Sequence, residues 1–155
     1  MIEERRASAY ERIFTQLESL IKNKSPNLLA AMATIAAVLH AKLTHHSWTG
    51  FYFVAGTKEL HVGPYQGPVA CQILRDRGVC LAAVESKKAV VVPDVHAFPG
   101  HIACDSRSMS EIVVPIFKNE KVVAVLDIDS TKLAMFDEDD IKPLEKILML
   151  LQPYL

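Results

Sequence analysis

Three features of the 155-residue sequence predict an α+β fold, with helices packed against a central antiparallel sheet. Apolar residues recur at helical spacing in the first forty or so positions and again at the C-terminal end. Two pairs of β-prone segments are each joined by a short turn. A long irregular stretch, 66–110, separates the two pairs. Such stretches are unusual in a compact domain and are usually functional.

The first helix is expected over 2–22. Tyr10, Ile13, Phe14, Leu17 and Ile21 form its apolar stripe, with charges between them. Ser25 followed by Pro26 reads as an N-cap with proline at the first helical position. The helix it opens, over 26–43, carries Leu28, Leu29, Met32, Ile35, Val38 and Leu39, is apolar nearly all round, and is expected to be buried. Trp48 to Val54 and Glu59 to Tyr65 read as a hairpin turning at Ala55–Gly56–Thr57. Within the irregular stretch a short helix is expected over 79–86 and a strand over 89–92. Strands resume at Glu111–Phe117 and Lys121–Asp129 around a tight turn. A last helix is expected over 137–152, capped by Asp137 and either kinked at Pro143 or starting nearer Asp140.

The chain is expected to form one domain over 1–155. The N-terminal helices occupy 1–45; the sheet, the active-site loops and the last helix occupy 46–155. Hydrophobic residues make up 50% and charged residues 23%, as in an ordinary globular protein. The net charge of −1, with no basic run, argues against nucleic acid as a partner. MIEERRASAYERIF lacks the apolar core of a signal peptide, and no apolar run is long enough to span a membrane. A cytoplasmic location follows as the expectation, and with it three cysteines that begin as thiols.

Cys71, Cys80 and Cys104 all lie in the irregular stretch. They can be read as buried fillers, as metal ligands or as redox groups. Zinc could draw on Cys71, Cys80, Cys104, His96 and His101, but no pair has the Cys-x2–4-Cys spacing of structural zinc sites, so no metal is expected. Redox chemistry needs one thiolate nucleophile and a second thiol that can reach it. Cys104 has the best local setting: it follows Pro99–Gly100–His101–Ile102–Ala103, where glycine permits close backbone approach and His101 could favour the thiolate.

Three carboxylates stand out. Asp127 and Asp129 are two apart on a strand and share a face, where the rest of the strand is apolar. Glu111 lies on the neighbouring strand. Trp48 and Tyr52 share a face of theirs. For Glu111 to join the two aspartates, strand pairing must have the right parity. A two-residue turn at Asn119–Glu120 would pair Lys118 with Lys121 and turn Glu111 away. A three-residue loop, Lys118 to Glu120, would set Glu111 opposite Asp127 and is the expectation; a bulge within either strand would restore the same parity.

The run from Val92–Pro93–Asp94–Val95–His96 through Pro99–Gly100–His101–Ile102–Ala103–Cys104–Asp105–Ser106 to Ser110–Glu111–Ile112–Val113–Val114–Pro115 closely resembles the free methionine-R-sulfoxide reductase family. Val125–Leu126–Asp127–Ile128–Asp129–Ser130, Trp48–Thr49–Gly50–Phe51–Tyr52 and Gly63–Pro64–Tyr65–Gln66–Gly67 fit the same family. The resemblance covers about 48–140. It implies a GAF fold, a homodimer, no bound cofactor, action on the free amino acid only, and re-reduction by thioredoxin, itself supplied by NADPH through its reductase. On this reading Cys104 is the nucleophile and Cys71 the resolving thiol, with Cys80 an alternative or second resolver. Glu111, Asp127 and Asp129 would bind the substrate ammonium, and Trp48 and Tyr52 would wall its methyl-sulfur end. The rivals are a GAF sensor of a small molecule and a dimerisation module.

Overall fold

In the computed structural model, which describes residues 2–155, two helices lead into the sheet: α1 (Ile2–Ile21) and α2 (Leu28–Lys42). The strands β1 (Trp48–Gly56) and β2 (Glu59–Gln66) form the first hairpin. The irregular stretch holds β3 (Ile73–Arg75), α3 (Val79–Ser86) and β4 (Val90–Val92). The second hairpin is β5 (Ser110–Lys118) and β6 (Lys121–Ser130), and α4 (Ile141–Leu148) follows. The six strands pair antiparallel in the order β3-β2-β1-β6-β5-β4. This is the curled sheet with four helices of the expected GAF-like fold. Among the described residues, no helix is long and apolar enough to cross a membrane.

Alternation along the strands sends side chains to two different cores. Phe51, Ile112, Val114, Leu126 and Ile128 pack on one face against α1, α2 and α4. Trp48, Tyr52, Val113 and Val125 project from the other face against α3 and the crossover loops. The site lies on this second face.

Several local expectations change. Ser25 does not cap α2. Asn27, in extended backbone, accepts from the Ala30 N–H at 2.9 Å, while Ser25 donates to the Asn27 carbonyl. Asparagine is as good an N-cap as serine, so the cap moves two residues on and Pro26 stays outside the helix. Nor is α2 buried all round. Ala31, Met32, Ile35, Ala36 and Leu39 face the core, whereas Leu29 is 57% exposed. One side of the helix has sheet and α1 to pack on; the other has solvent. The last helix is divided: a 3-10 turn over Glu138–Asp140 capped by Asp137, then α4, then a second 3-10 stretch over Met149–Tyr154. Pro143 falls in the first turn of α4, where its missing N–H breaks no helical bond. Asp140 accepts from Tyr10 Oη at 2.8 Å and from Arg6 at 3.2 Å, which ties α1 to the start of this segment.

The β5–β6 turn also differs from the three-residue loop. It has two residues, Asn119 and Glu120, both at positive φ, and Lys118 pairs with Lys121. Parity is restored three residues later. Phe117 pairs with Val122 but Ile116 with Ala124, so Val123 is an unpaired bulge residue. Beyond the bulge Glu111 faces Asp129, not Asp127, and Val113 faces Asp127.

Candidate active site

The register carries Trp48, Tyr52, Glu111, Asp127 and Asp129 to one face. Asp129 is paired with Trp48 on one side and Glu111 on the other; Asp127 is paired with Gly50 and Val113. Paired residues share a face. A glycine is needed at position 50, because a Cβ there would lie 2.6 Å from the Trp48 ring and would also collide with Tyr65. The Trp48 and Tyr65 rings stack, with centroids 5.2 Å apart, and Tyr52 also stacks on Trp48 at 5.8 Å. Both site aromatics also reach the loop that carries Cys71. The Trp48 indole N–H donates to the Pro68 carbonyl at 3.1 Å, and the Tyr52 hydroxyl to the Cys71 carbonyl at 2.9 Å.

A cleft opens over this face, with about 640 Å³ of empty space including its mouth. Trp48, Tyr52, Glu111, Asp127 and Asp129 line it, with Cys80 and Cys104 among the other lining residues. Cys71 packs against the same core. Cys71 and Cys104 are joined as a disulfide, their Cα atoms 5.5 Å apart across 33 residues of sequence. Of the three cysteines, Cys80 alone is free. Its position also differs from a loop cysteine: Cys80 sits in the first turn of α3, buried, with its thiol beside Asp127.

Taking three carboxyl groups out of water shapes their ionisation. Burial, then the neighbouring Asp127 and Asp129, push Glu111 well above the usual carboxylate range. Burial and Asp127 do the same for Asp129. Burial also raises Asp127, but Glu111 and Cys80 lie within hydrogen-bonding reach and oppose the rise, so Asp127 is the member best held as an anion. Its Oδ1 is nonetheless buried without a conventional donor. A buried unpaired acceptor is costly and calls for a donor from a ligand. Burial pushes the Cys80 thiol up, and the three carboxylates push it further.

The histidines separate. His101 does line the cleft, with Nδ1 3.9 Å from Glu111 Oε2, and burial lowers its pKa. It thus faces the acids as a largely neutral ring and is a weak cationic aid to a Cys104 thiolate. His96 is exposed and pairs with Asp94 at 3.1 Å. The five candidate zinc ligands do not assemble. Ser108, buried beside Asp129, was not singled out by the sequence; it sits among exposed polar loop residues, with no periodicity to distinguish it. Tyr65 was visible only within the Gly63–Pro64–Tyr65 motif.

Residues 27–152 match the family model described as GAF domain. The chain is 41% identical over 130 residues to the free methionine-R-sulfoxide reductase of Escherichia coli (strain K12), covering 83% of this chain and 78% of that one. The chain belongs to the free methionine-R-sulfoxide reductase family of GAF domains. Another relative, GAF domain-containing protein A of Dictyostelium discoideum, is 46% identical over 143 residues, 92% of this chain and 89% of that one. Among solved structures, the free methionine-R-sulfoxide reductase of Neisseria meningitidis in complex with its substrate superposes with a TM-score of 0.91 at 41% identity, covering 96% of this chain and 89% of that one. Family membership accounts for the fold. The acid-floored cleft beside a cysteine pair is the feature of this member from which its chemistry can be argued.

Proposed function

We propose that this chain reduces free methionine-R-sulfoxide to methionine through its cysteines. The observation that carries the reading is the acidic floor. Glu111 and Asp127 are buried and Asp129 is half-buried on one face, and Asp127 Oδ1 lacks a conventional donor. A free amino acid brings an ammonium group; a methionine sulfoxide within a peptide chain does not. Trp48 and Tyr52 form an apolar wall suited to the methyl-sulfur end.

In the proposed cycle the Cys104 thiolate attacks the sulfoxide sulfur, and a protonated carboxyl group gives its proton to the departing oxygen. Glu111 and Asp129, both raised by burial and mutual repulsion, are the acids suited to that step. The protonated oxygen passes from the substrate sulfur to Cys104 Sγ as the transient sulfur–sulfur bond breaks, so methionine leaves and Cys104 becomes a sulfenic acid. The Cys71 thiol then displaces water, forming the Cys71–Cys104 disulfide. Thioredoxin reduces that disulfide by thiol exchange, drawing on NADPH through its reductase, so the cycle needs no bound cofactor. The bonded pair supports Cys71 and Cys104 as the two reacting thiols, with Cys80 left as a buried thiol. The working unit is a homodimer in the cytoplasm, where thioredoxin is available.

The test is NADPH consumption in the presence of thioredoxin, thioredoxin reductase and free methionine-R-sulfoxide. Sustained oxidation that depends on all components is expected. Its absence, with the purified chain folded, would leave a ligand-binding or dimerisation role instead.

A further inference from the structure

The buried thiol that the proposed cycle leaves unused has distinctive neighbours. Cys80 Sγ, a Glu111 carboxylate oxygen and an Asp127 carboxylate oxygen all lie within 4.8 Å of one another, and all three residues are buried. They come from three different elements: α3, β5 and β6. A second observation points to a ligand. Asp127 is only 6% exposed, it lines the cleft, and its Oδ1 finds no conventional donor. The cleft gives the cluster an entry path from solvent.

From this geometry we infer that Cys80, Glu111 and Asp127 form a site for a thiophilic divalent cation, Zn²⁺, and that the ion closes the cleft to substrate. One sulfur and two oxygens suit zinc, whereas magnesium and calcium take oxygen ligands only. Zinc–sulfur and zinc–oxygen bonds of about 2.3 and 2.1 Å place tetrahedral ligand atoms roughly 3.4–3.6 Å apart. From separations of no more than 4.8 Å, the three groups reach that spacing by closing at most about 1.4 Å, within the range of side-chain rotation. Binding releases the Cys80 thiol proton to solvent, and the thiolate bonds the metal. Three protein ligands leave one tetrahedral position for water, as in open zinc sites. This set differs from the cysteine-histidine set that spacing alone brings to mind: it uses one cysteine and neither member of the redox pair. Because Glu111 and Asp127 are the proposed ammonium partners, zinc and substrate exclude each other. That exclusion rests on the reductase reading; the metal site itself does not.

The direct experiment is zinc titration of the purified full chain against a chromophoric chelator, with the Cys71–Cys104 pair oxidised and again after reduction by a phosphine. One Zn²⁺ per chain is expected in both states. Co²⁺ in its place should give a thiolate-to-metal charge-transfer band. Cys80→Ser, nearly isosteric, should weaken zinc at least tenfold and abolish the band, and Asp127→Asn should also weaken zinc at least tenfold. The double variant Cys71→Ser/Cys104→Ser should keep both zinc and band. Absence of stoichiometric binding would overturn the site. So would binding lost on oxidation or in the double variant, which would place the ion on the redox pair. In the NADPH assay, zinc should raise the apparent KM for sulfoxide without changing kcat, reversibly on chelation. Zinc binding by a chain that reduces no sulfoxide would refute the reductase reading alone; sulfoxide reduction by a chain that binds no zinc would refute this site alone.

Discussion

Cys104 and Cys71 have unequal duties in the proposed cycle, and a serine at each position separates them. A serine hydroxyl is a poor nucleophile at neutral pH, so Cys104→Ser should lose all turnover. Cys71→Ser should still form about one methionine per subunit without reductant, then stop, because no thiol remains to resolve the sulfenic acid. Loss of that first equivalent in Cys71→Ser would reverse the roles. The acids make a prediction about stability. Glu111 is raised by burial first, then by Asp127 and Asp129. A carboxyl group raised in the native state binds its proton more tightly folded than unfolded. Its contribution is therefore complete below the unfolded value of about 4.3 and is lost as pH rises toward the native value. Glutamine has no such loss. Glu111→Gln should melt at least about 2 °C higher than the parent at pH 7, with the gain vanishing near pH 4, while activity falls. Melting curves across pH decide it; a gain independent of pH, or none, would contradict the ionisation scheme.

Among the elements, the second hairpin shows how a functional face is set. Asn119 and Glu120 both adopt positive φ, as a type I′ turn requires. Asparagine tolerates this well, but glutamate there costs about 1 kcal/mol. Glu120→Gly should therefore raise Tm by about 2–4 °C without altering activity, measurable by calorimetry. No gain would mean the turn is not built this way. The apolar pattern shows where these strands lie, and the need for Glu111 to face the aspartates shows that one residue must be unpaired. That residue is Val123, a valine among valines, so its selection as the bulge depends on packing across both faces. Other differences have similar causes. Asn27 and Ser25 are equal caps by type, and the path of the chain decides between them. The short strand β3 has three residues, two of them exposed, too few for periodicity to show. Two-apart acids on an apolar strand were legible as sharing one face. The position of Cys80 beside Asp127 was not, since it depends on how α3 crosses the sheet.

Across the whole molecule the sheet divides two kinds of work. One face packs α1, α2 and α4 into an apolar core that needs no metal or disulfide. The other face bears three carboxyl groups, Glu111 and Asp127 buried and Asp129 half-buried, which a protein selected for stability alone would not keep. Their cost is offset when a cation enters, and in the proposed reaction that cation is the ammonium of a free amino acid. An N-acetyl group removes the charge and leaves the acids unpaired. Breaking a buried ion pair costs about 3–5 kcal/mol, and each 1.4 kcal/mol is tenfold. The most direct measurement is kcat/KM for free methionine-R-sulfoxide against its N-acetyl derivative in the same NADPH-coupled assay. The predicted result is a preference for the free amino acid of at least about 100-fold. Comparable values for the two substrates would contradict the acidic floor as the recognition element.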